Sequence, residues 1–152
     1  MLPDNLTQHP EGGRFQEVYR SSSSVITRRG ISRCAATHIY FRLAEGEVSR
    51  FHKVSSDEIW NLYRGQGVIL YTWDGSDSPP GRIVVSAEES RFCHVVPAGT
   101  WQAAEPLSGE VLVGCTVAPG FEFADFTLMG ARSPEARKLV AADPQMAKLI
   151  GE

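Results

Sequence analysis

An all-β fold, a small barrel or sandwich finished by short C-terminal helices, is what this sequence predicts, and three observations predict it. Short runs rich in β-branched and aromatic residues recur along the chain. Gly, Pro, Asp or Ser interrupts them every ten residues or so, and helical periodicity is confined to the end, in 133–152. With 152 residues the chain has the length of one domain, enough to bury roughly 70% of the surface its unfolded form exposes.

Taken in order, 1–12 reads as an N-terminal arm, and Gly12-Gly13 marks a chain reversal before the first strand at 14–20. The serines of 21–24 read as a mobile loop. Strands follow at 36–43, 48–54 and 58–63, then at 68–73, with 74–81 (Asp-Gly-Ser-Asp-Ser-Pro-Pro-Gly) a loop. Further strands are predicted at 82–86, 92–96, 100–104, 111–117 and 121–128. Ser133, Pro134 and Glu135 supply an N-cap, a proline at the first helical position and an early acid for a helix through 136–142, with a shorter one at 145–150.

Composition narrows the function. Fifteen Lys and Arg against eighteen Asp and Glu leave a formal charge of −3 with no basic cluster to follow a phosphate backbone, so nucleic acid is not expected as a partner. No apolar window approaches the length of a spanning helix and the first residues carry no apolar leader core, which gives the expectation of a soluble cytoplasmic protein without membrane contact. Cys34, Cys93 and Cys115 are odd in number, far apart and without C-x-x-C spacing. They are expected as buried, reduced thiols.

Four segments are distinctive markers: His9-Pro10-Glu11-Gly12-Gly13, Ser56-Asp57-Glu58-Ile59-Trp60, Val96-Pro97-Ala98-Gly99-Thr100-Trp101-Gln102 and Val117-Ala118-Pro119-Gly120-Phe121-Glu122-Phe123-Ala124-Asp125-Phe126. Together they resemble the DUF985 (cupin-5) branch of the cupin superfamily, over nearly the whole chain. The resemblance implies a single jelly-roll (RmlC-like) β-barrel over 1–152, an N-terminal segment near the barrel mouth or a dimer mate, and a homodimer. Apolar aromatic runs that one small barrel does not cover point to the dimer as well.

In the usual cupin, two histidines as H-x-H, a glutamate soon after and a third histidine following P-x-G converge on one divalent metal. Here the set is incomplete. With His52 as the first histidine, Gly46, Glu58 and Gly65 fall into place but Val54 holds the second histidine's position. With His52 as the second, which Ser49 and Asp57-Glu58-Ile59-Trp60 favour, Arg50 holds the first. Gln102 stands at the third position in either case. His52, Glu58 and Gln102 would make only a weak metal site, so the cofactor expectation is none or a weakly bound divalent metal.

The alternation of a strand turns the same residues into a pocket. Glu58, Trp60 and Leu62 share one face and Gln102 shares one with Thr100 and Ala104, while Asn61 and Tyr63 turn the other way. Two residues before His52, Arg50 is expected to point inward with it, pairing Glu58 or gripping an anionic group of the ligand. Trp60, Gln102 and Glu11 complete the expected substrate-binding set. Phe121, Phe123 and Phe126 read as core or interface, Tyr71 and Trp73 as core, and His38 and His94 as structural.

The functional expectation is an enzyme of isomerase, epimerase or lyase type acting on a small polar, anionic metabolite, with His52 and Glu58 handling protons. Sugar-nucleotide epimerases of related cupin fold do such chemistry without a metal. A non-catalytic module binding a small ligand through Arg50 and Gln102 is the alternative, and a metal-dependent oxygenase the third.

Overall fold

The computed structural model of the chain describes residues 2–151. Strands β1 (Thr7–Gln8), β2 (Arg14–Arg20), β5 (Thr37–Leu43), β7 (Asp57–Arg64), β10 (Cys93–Val96) and β12 (Val111–Ala118) form one antiparallel sheet in the order β1-β2-β5-β12-β7-β10. A second antiparallel sheet, ordered β13-β6-β11-β8-β9, contains β6 (Ser49–Val54), β8 (Val68–Trp73), β9 (Gly81–Val85), β11 (Trp101–Pro106) and β13 (Phe126–Leu128). The two face each other as a cupin-like jelly-roll sandwich, with β3 (Ser24–Ile26) and β4 (Ser32–Cys34) as a separate hairpin. Helix α1 spans Pro134–Ala142 and a 3-10 helix spans Pro144–Leu149.

Most strand boundaries fall within one or two residues of those predicted, and three readings are corrected. Residues 21–23 are a loop, but Ser24 already begins β3, and the β3–β4 hairpin is absent from the strands read from the sequence. The run 121–128 is not one strand: Phe123–Asp125 is a 3-10 turn and only Phe126–Leu128 pairs, with β6. Asp125 interrupts the extended run, because its carboxylate is held bidentately by Arg33 (2.8 and 3.1 Å) and by Arg29 (2.9 Å) from the hairpin. Cys115 is buried and the described cysteines are unpaired as expected, but Cys34 is half-buried and Cys93 exposed. Cys93 lies on the edge strand β10 opposite the outward-facing Asn61.

Two apolar clusters hold the fold. The inner one lies between the sheets and includes Phe41, Leu43, Trp60, Leu70, Val85, Val96 and Val113. The outer one joins the far face of the five-stranded sheet, through Phe51, Ile69, Tyr71, Trp73 and Trp101, to Ala136, Leu139, Met146 and Leu149 of the helical segment. Helix α1 starts where the sequence proposes, with Ser133 Oγ accepting from the Ala136 N–H at 3.1 Å and Pro134 in the first turn.

One irregularity decides what enters the interior. Gln102 of β11 pairs with His52 and Ala104 with Ser49, so two steps along β11 meet three along β6. The extra residue makes a β-bulge in 49–52. Ser49 and His52 therefore both face inward, while Phe51 turns to the outer cluster.

Candidate active site

The N-terminal arm delivers half of the site. His9 N–H donates to Gly13 O and Gly12 N–H to His9 O, both at 3.0 Å, closing a turn in which Gly12 and Gly13 adopt φ of 111° and 70°. A Cβ on Gly12 would stand 2.1 Å from the Val48 carbonyl oxygen, so only glycine lets the arm seat against β6 at this depth. Arg50 anchors it. Its backbone N–H (2.7 Å) and Nε–H (3.2 Å) donate to Glu11 O, and Nη2 donates to Pro10 O.

The expected inward placement of Arg50 is thus corrected. The bulge breaks the alternation on which that expectation rested, and the guanidinium holds arm carbonyls instead of lining the interior space. The argument for an anionic ligand rested on this side chain and goes with it.

A cavity of about 210 Å³, well beyond the ~10–15 Å³ needed to hold one water, opens between the arm, β5, β6, β7 and the segment before β13. Its buried polar lining is His9, Glu11, Thr37, His52 and Glu58, with the Cys115 thiol. Phe15, Phe121, Phe123 and Phe126 form much of the apolar wall. At the exposed rim Arg20 pairs with Glu17 (2.7 Å) and Glu122 (3.0 Å), and donates to Phe121 O (3.1 Å).

Hydrogen-bond partners fix where the protons are. His52 Nδ1 lies 2.7 Å from the Arg50 carbonyl oxygen, an acceptor, so Nδ1 carries a hydrogen and Nε2 faces Glu11 Oε2 at 3.1 Å. His9 Nδ1 accepts from the Glu11 N–H at 3.2 Å, which places the hydrogen of a neutral His9 on Nε2. Glu11 Oε2 thus meets the ring nitrogens of His52 and, at 3.4 Å, of His9. One proton shared between Glu11 and His52, on the carboxyl or on the imidazole, is what turns this contact attractive. Glu11 Oε1 accepts from Ser49 Oγ at 2.9 Å.

Glu58 is held from below. The Trp60 indole N–H donates to Gln102 Oε1 at 2.7 Å, which turns the amide nitrogen of Gln102 toward Glu58 Oε1 at 3.1 Å. The indole can only donate, so the amide has one orientation. Trp60 and Gln102 were expected in the pocket. They lie beneath it instead, Trp60 in the inner core edge-on to Phe41, and neither lines the cavity.

Burial governs the acid–base balance. It lifts Glu11 to about 8, against the pull of the Ser49 hydroxyl and Arg50, and Glu58 to about 7, against the pull of His52 and the Gln102 amide. It pushes His9 down to about 4. His52 is lowered by the same burial, partly offset by Glu58. The two carboxyls are therefore poised to exchange protons near neutrality, while His9 stays a neutral imidazole.

His52 and Glu58 do meet in one cavity, but the carboxyl in hydrogen-bond range of His52 is Glu11. The residue that sequence reasoning passed over is His9, taken only as part of a marker. The signal available was a second imidazole two residues from Glu11, ahead of a Gly-Gly reversal.

The metal of the usual cupin does not fit this donor set. Gln102 has its oxygen turned to Trp60 and its nitrogen to Glu58. Among the described residues, no three His, Cys, Asp or Glu side chains stand so as to hold one ion together.

Comparison with known proteins agrees with the fold. The family described as Cupin superfamily (DUF985) matches residues 4–129. Among solved structures, a protein of Shewanella oneidensis is 32% identical, covers 96% of this chain and 91% of its own, and superposes with a TM-score of 0.79. A hypothetical protein from Leishmania major is 28% identical over 95% and 90%, also at 0.79. Oxalate decarboxylase from Bacillus subtilis shares the fold at 16% identity and TM-score 0.60, over 95% of this chain and 36% of that one. No curated protein matches. No helix among the described residues is long and apolar enough to cross a membrane. The chain belongs to the DUF985 branch of the cupin superfamily.

Proposed function

We propose that this cupin is an enzyme of the proton-transfer class, an isomerase, epimerase or lyase, acting on a small polar metabolite held in the cavity. The observation that carries the reading is the buried quartet of Glu11, His52, His9 and Glu58 facing one cavity, while the guanidinium on its lining, Arg20, stands at the exposed rim. Glu58, oriented by Gln102 and lifted to about 7, is suited to remove a proton at neutral pH. The Glu11–His52 pair, sharing one proton, is suited to return one. Phe15, Phe121 and Phe126 give the cavity an apolar wall beside these groups.

The rival reading, a non-catalytic binding module, assigned Arg50 and Gln102 to orient the ligand, and both already have their hydrogen bonds within the protein. Incubation in deuterated water with a panel of small oxo and hydroxy compounds, neutral as well as acidic, followed by proton NMR, separates the two. Wild-type protein is expected to exchange one carbon-bound hydrogen of its ligand, and Glu58→Gln to lose about 10²–10⁴-fold of that rate. Saturable binding without exchange supports the binding module instead.

A further inference from the structure

Nε2 of His9 is a donor with no acceptor. The Glu11 N–H occupies Nδ1, so the hydrogen of the neutral ring sits on Nε2, and that atom makes no hydrogen bond to any described residue. No polar side-chain atom sealed from solvent among those residues lacks a partner, so Nε2 must reach the cavity surface that His9 helps to line. The ring is also held still. It packs edge-on against Phe15 (centroids 4.8 Å apart), Phe126 (5.7 Å) and Phe41 (5.9 Å), on a turn that Gly12 seats tightly against Val48. A fixed N–H that reaches the cavity and meets no acceptor among the described residues is placed to receive an oxygen of the ligand.

We infer that His9 is a catalytic electrophile whose Nε2–H polarises a carbonyl oxygen, and that the substrate is therefore a small compound with a hydrogen on the carbon next to a carbonyl. The inference rests on the proton-transfer reading and gives it a substrate class. Glu58 takes the hydrogen as a proton, the C–H pair becomes the C=C bond of an enolate, and the carbonyl π pair moves onto the oxygen that His9 holds. Return of a proton from the Glu11–His52 pair to the opposite face of the same carbon, as the oxygen's pair re-forms the carbonyl, gives the epimer. Nothing is oxidised or reduced. Burial keeps His9 neutral, at about 4, so the ring donates a hydrogen bond without surrendering its proton.

Nitrogen-15 NMR of the whole protein, with acetohydroxamate as a small enolate-like probe, tests the donor directly. The expected result is a neutral His9 with hydrogen on Nε2, whose resonance moves when the probe is added. In the deuterium-exchange assay, His9→Phe should lower the rate by about 10²–10³-fold, the usual loss on removing one such donor, while its unfolding midpoint confirms a folded protein. His9→Gln, which restores an N–H, should recover part of the rate. Hydrogen on Nδ1, an imidazolium at neutral pH, or wild-type exchange by His9→Phe overturns the inference. If wild-type protein exchanges no member of the panel, the proton-transfer reading falls, and the probe alone decides: a moved Nε2 resonance keeps His9 as the donor for a ligand oxygen, and an unmoved one removes it.

Discussion

Along β7, Glu58 and Trp60 face the same interior two residues apart, yet they belong to different regions. On β12 the same passage runs from Val117 and Cys115 at the cavity to Val113 and Val111 in the inner core, and on β5 from Thr37 and Ile39 to Phe41 and Leu43. One end of the barrel is packed solid with apolar side chains, and the other encloses four ionisable groups around open space. The boundary between them is the Trp60–Gln102 hydrogen bond, whose far side fixes Glu58. Identical strands serve both ends, so the difference comes from what is laid over them: β8, β9 and β10 residues fill one end, and the arm, β6 and the 121–126 aromatics line the other. Burial that stabilises Val, Leu and Trp is what perturbs Glu and His.

The contrast is most sharply broken at Trp60. Trp60→Ala removes the largest buried side chain of the closed end and orphans Gln102, and should cost about 3–5 kcal/mol in urea denaturation. Glu58→Gln, two residues away, should change stability by less than about 1 kcal/mol, because an amide is neutral without needing a proton.

The second effect is a pH dependence that belongs to the open end alone. Glu11, near 4.5 unfolded and about 8 folded, binds its proton more tightly in the native state, so its contribution is complete below pH 4.5 and is lost as pH rises through 8. Glu58 acts in the same sense up to about 7. His9 acts oppositely between about 4 and 6.5, as does the lowered His52 below 6.5. Above 6.5 only the carboxyls remain, so stability should fall by about 1–2 kcal/mol between pH 6.5 and 8, at ~1.4 kcal/mol per pH unit for each proton. Glu11→Gln should flatten that slope, and an unchanged slope in the variant would assign it elsewhere.

The smallest effect is expected at the rim. Arg20 bridges Glu17 and Glu122, but these side chains are exposed and screened. Arg20→Ala should shift the unfolding free energy by about 0–1 kcal/mol. A larger loss would mean that the rim pairs, rather than the closed end, hold the mouth of the barrel together.

Strand positions were legible because Gly and Pro punctuation is local, and the interior position of Glu58 because period two holds along β7. Arg50 was not, because a bulge depends on the partner strand: nothing within 49–52 announces that β11 advances two residues while β6 advances three. The depth of Trp60 and Gln102 followed the same limit, since alternation gives the face of a strand and not the height along the barrel. His9 was hidden for a different reason. It lies outside the sheets, and the backbone N–H of Glu11 that sets its tautomer leaves no mark in residue order.

The bulge in β6 also has a meaning in terms of chain length. Removing one residue from an ordinary strand turns every later side chain to the opposite face. Between Ser49 and His52 the arithmetic reverses: a chain one residue shorter there would still present both inward, in plain alternation. The additional position is therefore not needed to aim the histidine. It makes room for two neighbours with separate tasks, Phe51 sealing the helical side and Arg50 clasping the arm, so that a single inserted residue ties the outer face and the N-terminus to one point of the barrel wall.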